Sequence, residues 1–280
     1  ITSYQDVKPG AWYYDDVAMA VHMGTYEGRD QRTMAPDSNI TRQEAMTVVA
    51  RALQLDAGEL PETRLLYTVE FSPGEDAAEG AMRALLGDAV LREDDSTRYV
   101  QIYQSEQGRC RVSRDGQLTA RLEDRASAGD LQEALAEELA AMGLTASEVS
   151  LPARTSAGVY TVTALQELLG VPVFSAALQG TFHNGGLTRL EGTAYFDTAG
   201  LARTDDEACC SAADALVAFL GSQDALGWVG SSVTAVTQGY LRAETASAAV
   251  VRLVPGWRIT TDTGDFWVAG IDRQVSALAA

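Results

Sequence analysis

Apolar residues recur at helical spacing in two short stretches within the first 55 positions of the chain. In residues 13–23 the apolar positions are Tyr13, Val17, Ala20 and Val21, and Gly24 follows as a C-cap. In the second stretch they are Ala45, Val48, Val49 and Leu53. Thr41 and Glu44 have the spacing of a capping box at its start. The pattern predicts two short helices joined by a polar loop, a unit that needs a neighbour because it buries little surface.

Beyond residue 64, segments with a helical period are followed by segments with the alternating period of strands. Helices are predicted to begin near Ser72, Ser127 and Asp205 and to end near residues 86, 141 and 220. Strands are predicted over residues 65–71, 97–104, 108–114, 117–122, 159–165, 171–182, 187–196, 233–243, 247–253, 257–261 and 265–269. Asp115-Gly116 is a two-residue hairpin signal, and residues 183–186 form a second turn. Helices laid on one face of antiparallel sheets make an α+β fold.

Composition changes divide the chain into four parts. Residues 1–55 form the small helical module, and residues 56–64 read as a linker because Gly58 and Pro61 break the helical pattern. Residues 65–125 form one α+β unit and residues 126–280 form a second α+β region. We expect these two regions to be separate lobes that divide near residues 123–127.

The chain is strongly acidic, and this narrows the classes of partner. Its formal net charge is −18, and residues 1–55 hold seven acidic and five basic side chains, so about −16 belongs to the rest. Such a charge disfavours nucleic acid and anionic membrane surfaces as partners. No stretch of ~18 apolar residues occurs. No signal peptide is visible, and Ile1 already lies inside a domain, so we expect any secretion signal or membrane anchor upstream of Ile1.

Candidate reactive groups are few. His22 and His183 have no cysteine or carboxylate at metal-ligand spacing, so a structural or solvated role is favoured for both. The acidic run at residues 205–207 is interpreted as favourable charge at a helix N-terminus. The chain shows no phosphate-binding glycine loop, nucleophile elbow or His-Glu-x-x-His helix. We therefore predict no catalytic residue, no metal and no cofactor.

Two groups of residues leave a choice between packing and binding. Cys209 and Cys210, on a predicted helix, could be redox-active or bind a metal, but burial as small apolar side chains is favoured. Five aromatic residues could form a platform for a sugar or a peptide, although their place in predicted strands favours packing in the core. They are Trp228, Tyr240, Trp257, Phe266 and Trp267.

The opening module resembles the S-layer homology (SLH) family. The residues that carry the resemblance are Asp6-Val7, Trp12, Gly24, Gly28, Met34-Ala35-Pro36-Asp37 and Ile40-Thr41-Arg42-Gln43-Glu44. Met34 stands where the family usually has an aromatic residue, and one module is found where the family usually has three. The resemblance covers about a fifth of the chain. It implies attachment to a secondary polymer of a Gram-positive-type cell wall.

By this resemblance the wall polymer is bound by Arg42 of the Thr41-Arg42 motif, with Trp12 as a groove or core aromatic. An arginine fork suits a carboxylate-bearing sugar. The alternative for Arg42 is a structural arginine at the helix start, paired with Glu44 or Asp37. For Trp12, packing in the core is favoured over contact with a ligand.

A second resemblance covers about residues 155–275. It is carried by Pro172-Val173-Phe174, Asn184-Gly185-Gly186-Leu187, Pro255-Gly256-Trp257 and Phe266-Trp267-Val268-Ala269. This order is similar to YycH/YycI-type accessory proteins of two-component systems and to PepSY-like sheets. The resemblance implies binding to a protein partner and brings no catalytic residue.

Together these features predict a non-enzymatic extracytoplasmic protein of the cell surface or cell wall. Its SLH-like module attaches to wall polymer, and its α+β region binds an unidentified protein partner. The alternative is a regulatory accessory protein of a two-component signalling system, in which the SLH-like part is structural. An enzyme acting on polysaccharide is the third reading, and it would need a deep cleft lined by carboxylates or a His/Cys pair.

Overall fold

A computed structural model describes residues 4–30, 32–39, 48, 60–88, 90–93, 97, 99–123, 125–222, 232–247 and 249–278. The described helices are α1 (Tyr14–His22), α2 (Glu79–Leu86), α3 (Leu131–Ala141) and α4 (Ala212–Gly221). The described strands are β1 (Tyr67–Phe71), β2 (Leu91–Arg92), β3 (Val100–Ser105), β4 (Gly108–Ser113), β5 (Gln117–Leu122), β6 (Ala146–Ser147), β7 (Ala153–Ser156), β8 (Val159–Leu168), β9 (Val171–His183), β10 (Gly186–Thr193), β11 (Ala202–Ala208), β12 (Val233–Ala243), β13 (Val251–Thr261), β14 (Gly264–Ala269) and β15 (Val275–Ala277). None of these helices is both long and apolar enough to cross a bilayer. Helices and a large mixed sheet together make the fold α+β, as predicted.

The chain folds into two compact units. The first unit comprises residues 1–64, 209–238 and 256–280, and the second comprises residues 65–208 and 239–255. The predicted division near residues 123–127 is not where these units divide, because those residues link β5 to later strands of one sheet in the second unit. Strands from distant parts of the chain complete that sheet, and the local sequence pattern carries no signal for such pairing.

The second unit is a sheet with two unlike faces. Its strand segments are ordered β11-β1-β13-β12-β9-β10-β5-β4-β3-β2, with β8 also on β9 and with β6 and β7 on β8. β10 runs antiparallel to both β9 and β5, whereas β12 and β9 run parallel where Tyr240 faces Val173. Alternate residues of β5 are buried, as Leu118, Ala120 and Leu122 are. Residues of α2 and α3 join these side chains in one apolar cluster, so both helices lie on the same face of the sheet.

Helices α2, α3 and α4 each begin later than their sequence pattern predicts. The predicted start near Ser72 is wrong for α2, since residues 75–78 form turns and the helix begins at Glu79. The predicted start near Ser127 is wrong for α3, because Asp130 is the N-cap. The Asp130 carboxylate accepts hydrogen bonds from the backbone N–H groups of Gln132 (2.9 Å) and Glu133 (3.1 Å). Two unpaired donors of the first turn are thereby satisfied, which fixes the helix start.

The acidic run at residues 205–207 lies in strand β11, so its assignment to a helix N-terminus was wrong. Helix α4 is instead capped by Ser211, whose hydroxyl and backbone N–H form a reciprocal capping box with Asp214. β11 pairs with β1, and the Arg203 guanidinium lies 3.4 Å from the centre of the Tyr67 ring. Charged side chains on a strand at the end of a sheet discourage pairing with another chain.

Strand β13 is continuous where the sequence predicted two strands. Pro255 lies between the two predicted strands and has no N–H to donate to a ladder. Residues 251–253 pair with β1, whereas residues 256–261 pair with β14. Pro255 therefore falls between the segment that pairs with β1 and the segment that pairs with β14.

The first unit has its own buried side chains. Trp257 is fully buried, and its indole N–H donates to the Cys210 carbonyl oxygen at 3.0 Å. The rings of Phe219 and Phe266 pack with their centroids 5.1 Å apart. Trp267 is also buried. Trp257, Phe266 and Trp267 are therefore core residues, as is Tyr240 of the second unit, and this agrees with the packing role that their sequence pattern favoured. Trp228, the fifth aromatic residue of that group, lies outside the described residues.

The helix-covered face of the second unit should dominate its stability. Leu135 is completely buried, so Leu135→Ala should lower the free energy of unfolding by about 2–5 kcal/mol, measured by urea denaturation. Leu151 is 79% exposed, so the matched Leu151→Ala change should cost less than about 0.5 kcal/mol. Equal losses for the two variants would contradict the assignment of this core.

Candidate functional site

The Asp6 carboxylate joins the start of the module to the segment that precedes the Thr41-Arg42 motif. Its two oxygens accept hydrogen bonds from the backbone N–H groups of Met34 (2.9 Å) and Ala35 (2.5 Å). Val7 and Met34 are both buried next to this clamp. Ala35 has a positive φ of 57°, which costs energy for a residue with a side chain. The two hydrogen bonds therefore hold a strained segment in place.

These hydrogen bonds also change the acidity of Asp6. The Met34 N–H, followed by that of Ala35, stabilises the ionised carboxylate and lowers the pKa of Asp6, while partial desolvation acts in the opposite direction. Ionised Asp6 is therefore the form that the folded module prefers. The contribution is present above the pKa of an unfolded aspartate and is lost as the pH falls through the lower, folded value.

A second carboxylate organises the loop between α1 and this segment. One Asp30 oxygen accepts from the N–H groups of Arg32 (2.7 Å) and Thr33 (2.8 Å), and these bonds, that of Arg32 first, lower the pKa of Asp30. Gly28 lies beside this turn with a φ of 76°. A Cβ atom on Gly28 would lie 2.8 Å from both the Thr33 carbonyl oxygen and a Tyr4 ring carbon. Only glycine fits this close approach.

Trp12 lies at the surface, immediately before α1. Its side chain is 82% exposed, and its ring meets that of Tyr13 edge to face, with centroids 5.5 Å apart. The favoured interpretation of Trp12 as a core residue is therefore wrong. An exposed indole has surface area that a ligand could cover, and the Tyr13 ring restricts its position.

The remaining residues of the predicted site lie outside the described residues. These are Thr41 and Arg42, together with Ile40, Gln43 and Glu44 of the same motif. The structure therefore tests neither the ligand role of Arg42 nor its pairing with Glu44 or Asp37. The described segment before this motif ends at Asn39, whose carbonyl oxygen accepts a hydrogen bond from the Arg29 guanidinium at 2.8 Å.

Other candidate groups have separate environments. Cys209 is buried and Cys210 is partly buried, and both precede α4 instead of lying on the predicted helix. The two thiols are hydrogen-bonded, which raises the pKa of Cys209 and lowers that of Cys210. His22 and His183 are exposed. Among the described residues, no three His, Cys, Asp or Glu side chains are grouped so that they could hold a metal ion.

Comparison with known proteins identifies the module that contains these features. Residues 3–46 match the model of the S-layer homology domain. The opening segment is an SLH module. The chain is also 39% identical over 69 residues to the surface-layer 125 kDa protein of Lysinibacillus sphaericus, a match that covers 24% of this chain and 6% of that relative. Both findings indicate an extracytoplasmic protein of the cell surface or cell wall.

The SLH match gives the observed clamp a place in the family pattern. Asp6 and Met34-Ala35 are both pattern positions, but sequence reasoning did not foresee the hydrogen bonds between them. The family match lies at the start of the chain, so the resemblance of residues 155–275 to YycH/YycI-type proteins stays a prediction.

The Asp6 clamp should respond to pH. In an NMR titration, the Met34 amide shift should report a midpoint below that of an ordinary aspartate, because both hydrogen bonds favour the ionised form. Protection of the Met34 and Ala35 amides should fall as the pH drops through that midpoint. The Asp6→Asn variant should lack the transition, and a transition that survives in it would assign the effect to another group.

A side chain at Gly28 should destabilise the turn for two reasons, the positive φ angle and the close contact of its Cβ atom with neighbouring atoms. Gly28→Ala should raise amide exchange in residues 4–39 at least about fivefold, since crowding of this kind costs about 1–3 kcal/mol. Gly10→Ala is the matched control, because Gly10 has a φ of 85° but a Cβ atom added there would meet no other atom within 4 Å. Similar exchange in the two variants would mean that φ alone decides the effect.

Proposed function

We propose that this is a non-enzymatic cell-surface protein whose SLH module attaches it to a secondary cell-wall polymer. The match of residues 3–46 to the SLH family carries the proposal. Arg42 is the proposed ligand for an acidic sugar of the polymer, because its planar guanidinium can donate two parallel hydrogen bonds to one carboxylate. Thr41 and Trp12 are proposed to complete the site.

The geometry of the described residues is consistent with this role. Asp6 fixes Met34 and Ala35 by two hydrogen bonds, five residues before Ile40 begins the binding motif. A preorganised approach to the motif lowers the entropy lost when a ligand binds. Trp12, largely exposed, offers an aromatic face that suits a sugar ring.

For the α+β region we propose a role as a binding surface, with a protein partner as the general expectation. If the protein is instead an accessory protein of a two-component system, the same region would bind its signalling partner. The module match favours wall attachment over that alternative, since it accounts for the residues with the most specific motif.

Binding to purified cell-wall sacculi tests the attachment. The full chain should be retained, and Arg42→Ala should lower the affinity about tenfold or more, as expected for the loss of a charge-assisted bidentate contact. Trp12→Ala should lower it about fivefold. Arg32→Ala, an exposed arginine of the same module outside the motif, is the charge-matched control and should leave retention unchanged.

Two results would count against this assignment. Retention that is unchanged in Arg42→Ala would exclude the proposed ligand role. Retention on peptidoglycan from which the secondary polymer has been chemically removed would show that the chain binds a different wall component.

A further inference from the structure

Among the described residues, α2 and α3 cover one face of the sheet in the second unit, and exposed side chains of β4 and β5 lie on the opposite face. Alternate residues of β4 and β5 point away from the apolar cluster, and all of them up to Arg121 are exposed or partly exposed. We call this surface the open face, and define it by Gln104, Arg109, Arg111, Thr119, Arg121, Thr181, Arg189 and Glu191. An antiparallel sheet with one solvated face is common, so exposure alone does not imply a site.

The register of the strands places three arginines side by side on the open face. Arg121 of β5 lies directly opposite Arg109 of β4 on one side and Arg189 of β10 on the other. The same row continues to Gln104 of β3 and Thr181 of β9. Since neighbouring strands lie about 4.7–4.9 Å apart, the three side chains form a basic row about 10 Å long.

Such a row costs stability unless something neutralises it, because like charges directly opposite each other are destabilising. The two outer arginines have carboxylate partners: Glu93 accepts two hydrogen bonds from Arg109 (2.9 and 2.7 Å), and Glu191 lies 2.5 Å from Arg189. In the described part of the chain, the central Arg121 and the nearby Arg111 have neither an ion pair nor a side-chain hydrogen bond.

The acidity of the whole protein does not cancel this local charge. At physiological ionic strength the screening length is about 8 Å, so charges well beyond this distance contribute little at Arg121. Within the described ranges, the open face therefore presents two guanidinium groups without an ion pair, those of Arg111 and Arg121, to an anion that approaches it. Each guanidinium can bind a carboxylate through two hydrogen bonds.

We propose that the open face binds an acidic polysaccharide, with Arg121 and Arg111 contacting its carboxylates. The row from Gln104 to Thr181 crosses five neighbouring strands and is polar throughout. Its hydroxyl and amide groups can hydrogen-bond to sugar hydroxyls. Protein interfaces instead centre on buried aromatic or apolar anchors, which this row lacks. The cell-surface location exposes the chain to such polymers. The proposal does not depend on the role of Arg42.

The test uses the full chain and polygalacturonate as the probe, at 0.15 M salt. Arg111→Gln combined with Arg121→Gln should weaken binding about tenfold, and salt at 0.5 M should weaken the binding of the unaltered protein as well. The matched control combines Arg83→Gln and Arg154→Gln, which remove the same charge from α2 and from β7, and it should bind normally. Neutral dextran should not bind. Poly(glycerol phosphate) should bind more weakly than polygalacturonate, and equal binding of the two polymers would mean that the site accepts any anion and is not specific for carboxylates.

The same comparison in an Arg42→Ala background separates this site from the SLH module. A further tenfold loss there supports the open face whether or not Arg42 binds polymer. Equal weakening by the control pair, or no weakening by the open-face pair, overturns the proposal. If the open-face pair instead abolishes self-association in sedimentation velocity, the face is a contact between copies and the proposal is wrong. The melting temperature of the open-face variant should not fall, because Arg121→Gln removes a charge that lies opposite two like charges. Arg111 lies opposite Ile102 and Thr119, and among the described residues it makes no ion pair that the change to Gln would remove.

Discussion

The strict alternation of buried and exposed residues along the strands is the constraint on which the second unit depends. Leu118, Ala120 and Leu122 must face α2 and α3 together, because a shift of one residue would turn all of them to solvent. The register fixed by this burial also determines the other face. Arg121 lies between Arg109 and Arg189 because the core residues on either side of it are held in place. The exposed charge pattern is thus a consequence of packing on the covered face.

The SLH module is held by a different kind of interaction. Its described helix, α1, has no buried residue, and the buried apolar side chains in the described part of the module are Val7 and Met34. Hydrogen bonds from backbone N–H groups to Asp6 and Asp30 fix the loop instead. Bonds to charged groups are stronger than those between neutral groups. This explains how a short polar segment keeps a defined path toward the Thr41-Arg42 motif.

Errors in the predicted elements arose where a local signal competed with a partner distant in sequence. The acidic residues 205–207 resemble the start of a helix, but pairing of β11 with β1 places them in a strand, and Ser211 caps α4 further along the chain. Pro255 resembles a break, but it lies between segments that pair with different strands. Trp12 resembles a core residue by its type alone, yet it is exposed.

The sequence alone determined the features that depend on near neighbours. Hairpins such as that at Asp115-Gly116, the strand β12, the α+β class and the SLH motif follow from residue type and short spacing. Only the tertiary structure decided which distant strands are neighbours, and with them the Asp6 clamp and the row of arginines. Arg121 and Arg189 are 68 positions apart in the sequence, and no local period relates them. Their position opposite each other follows from the way the strands pair to bury one apolar face.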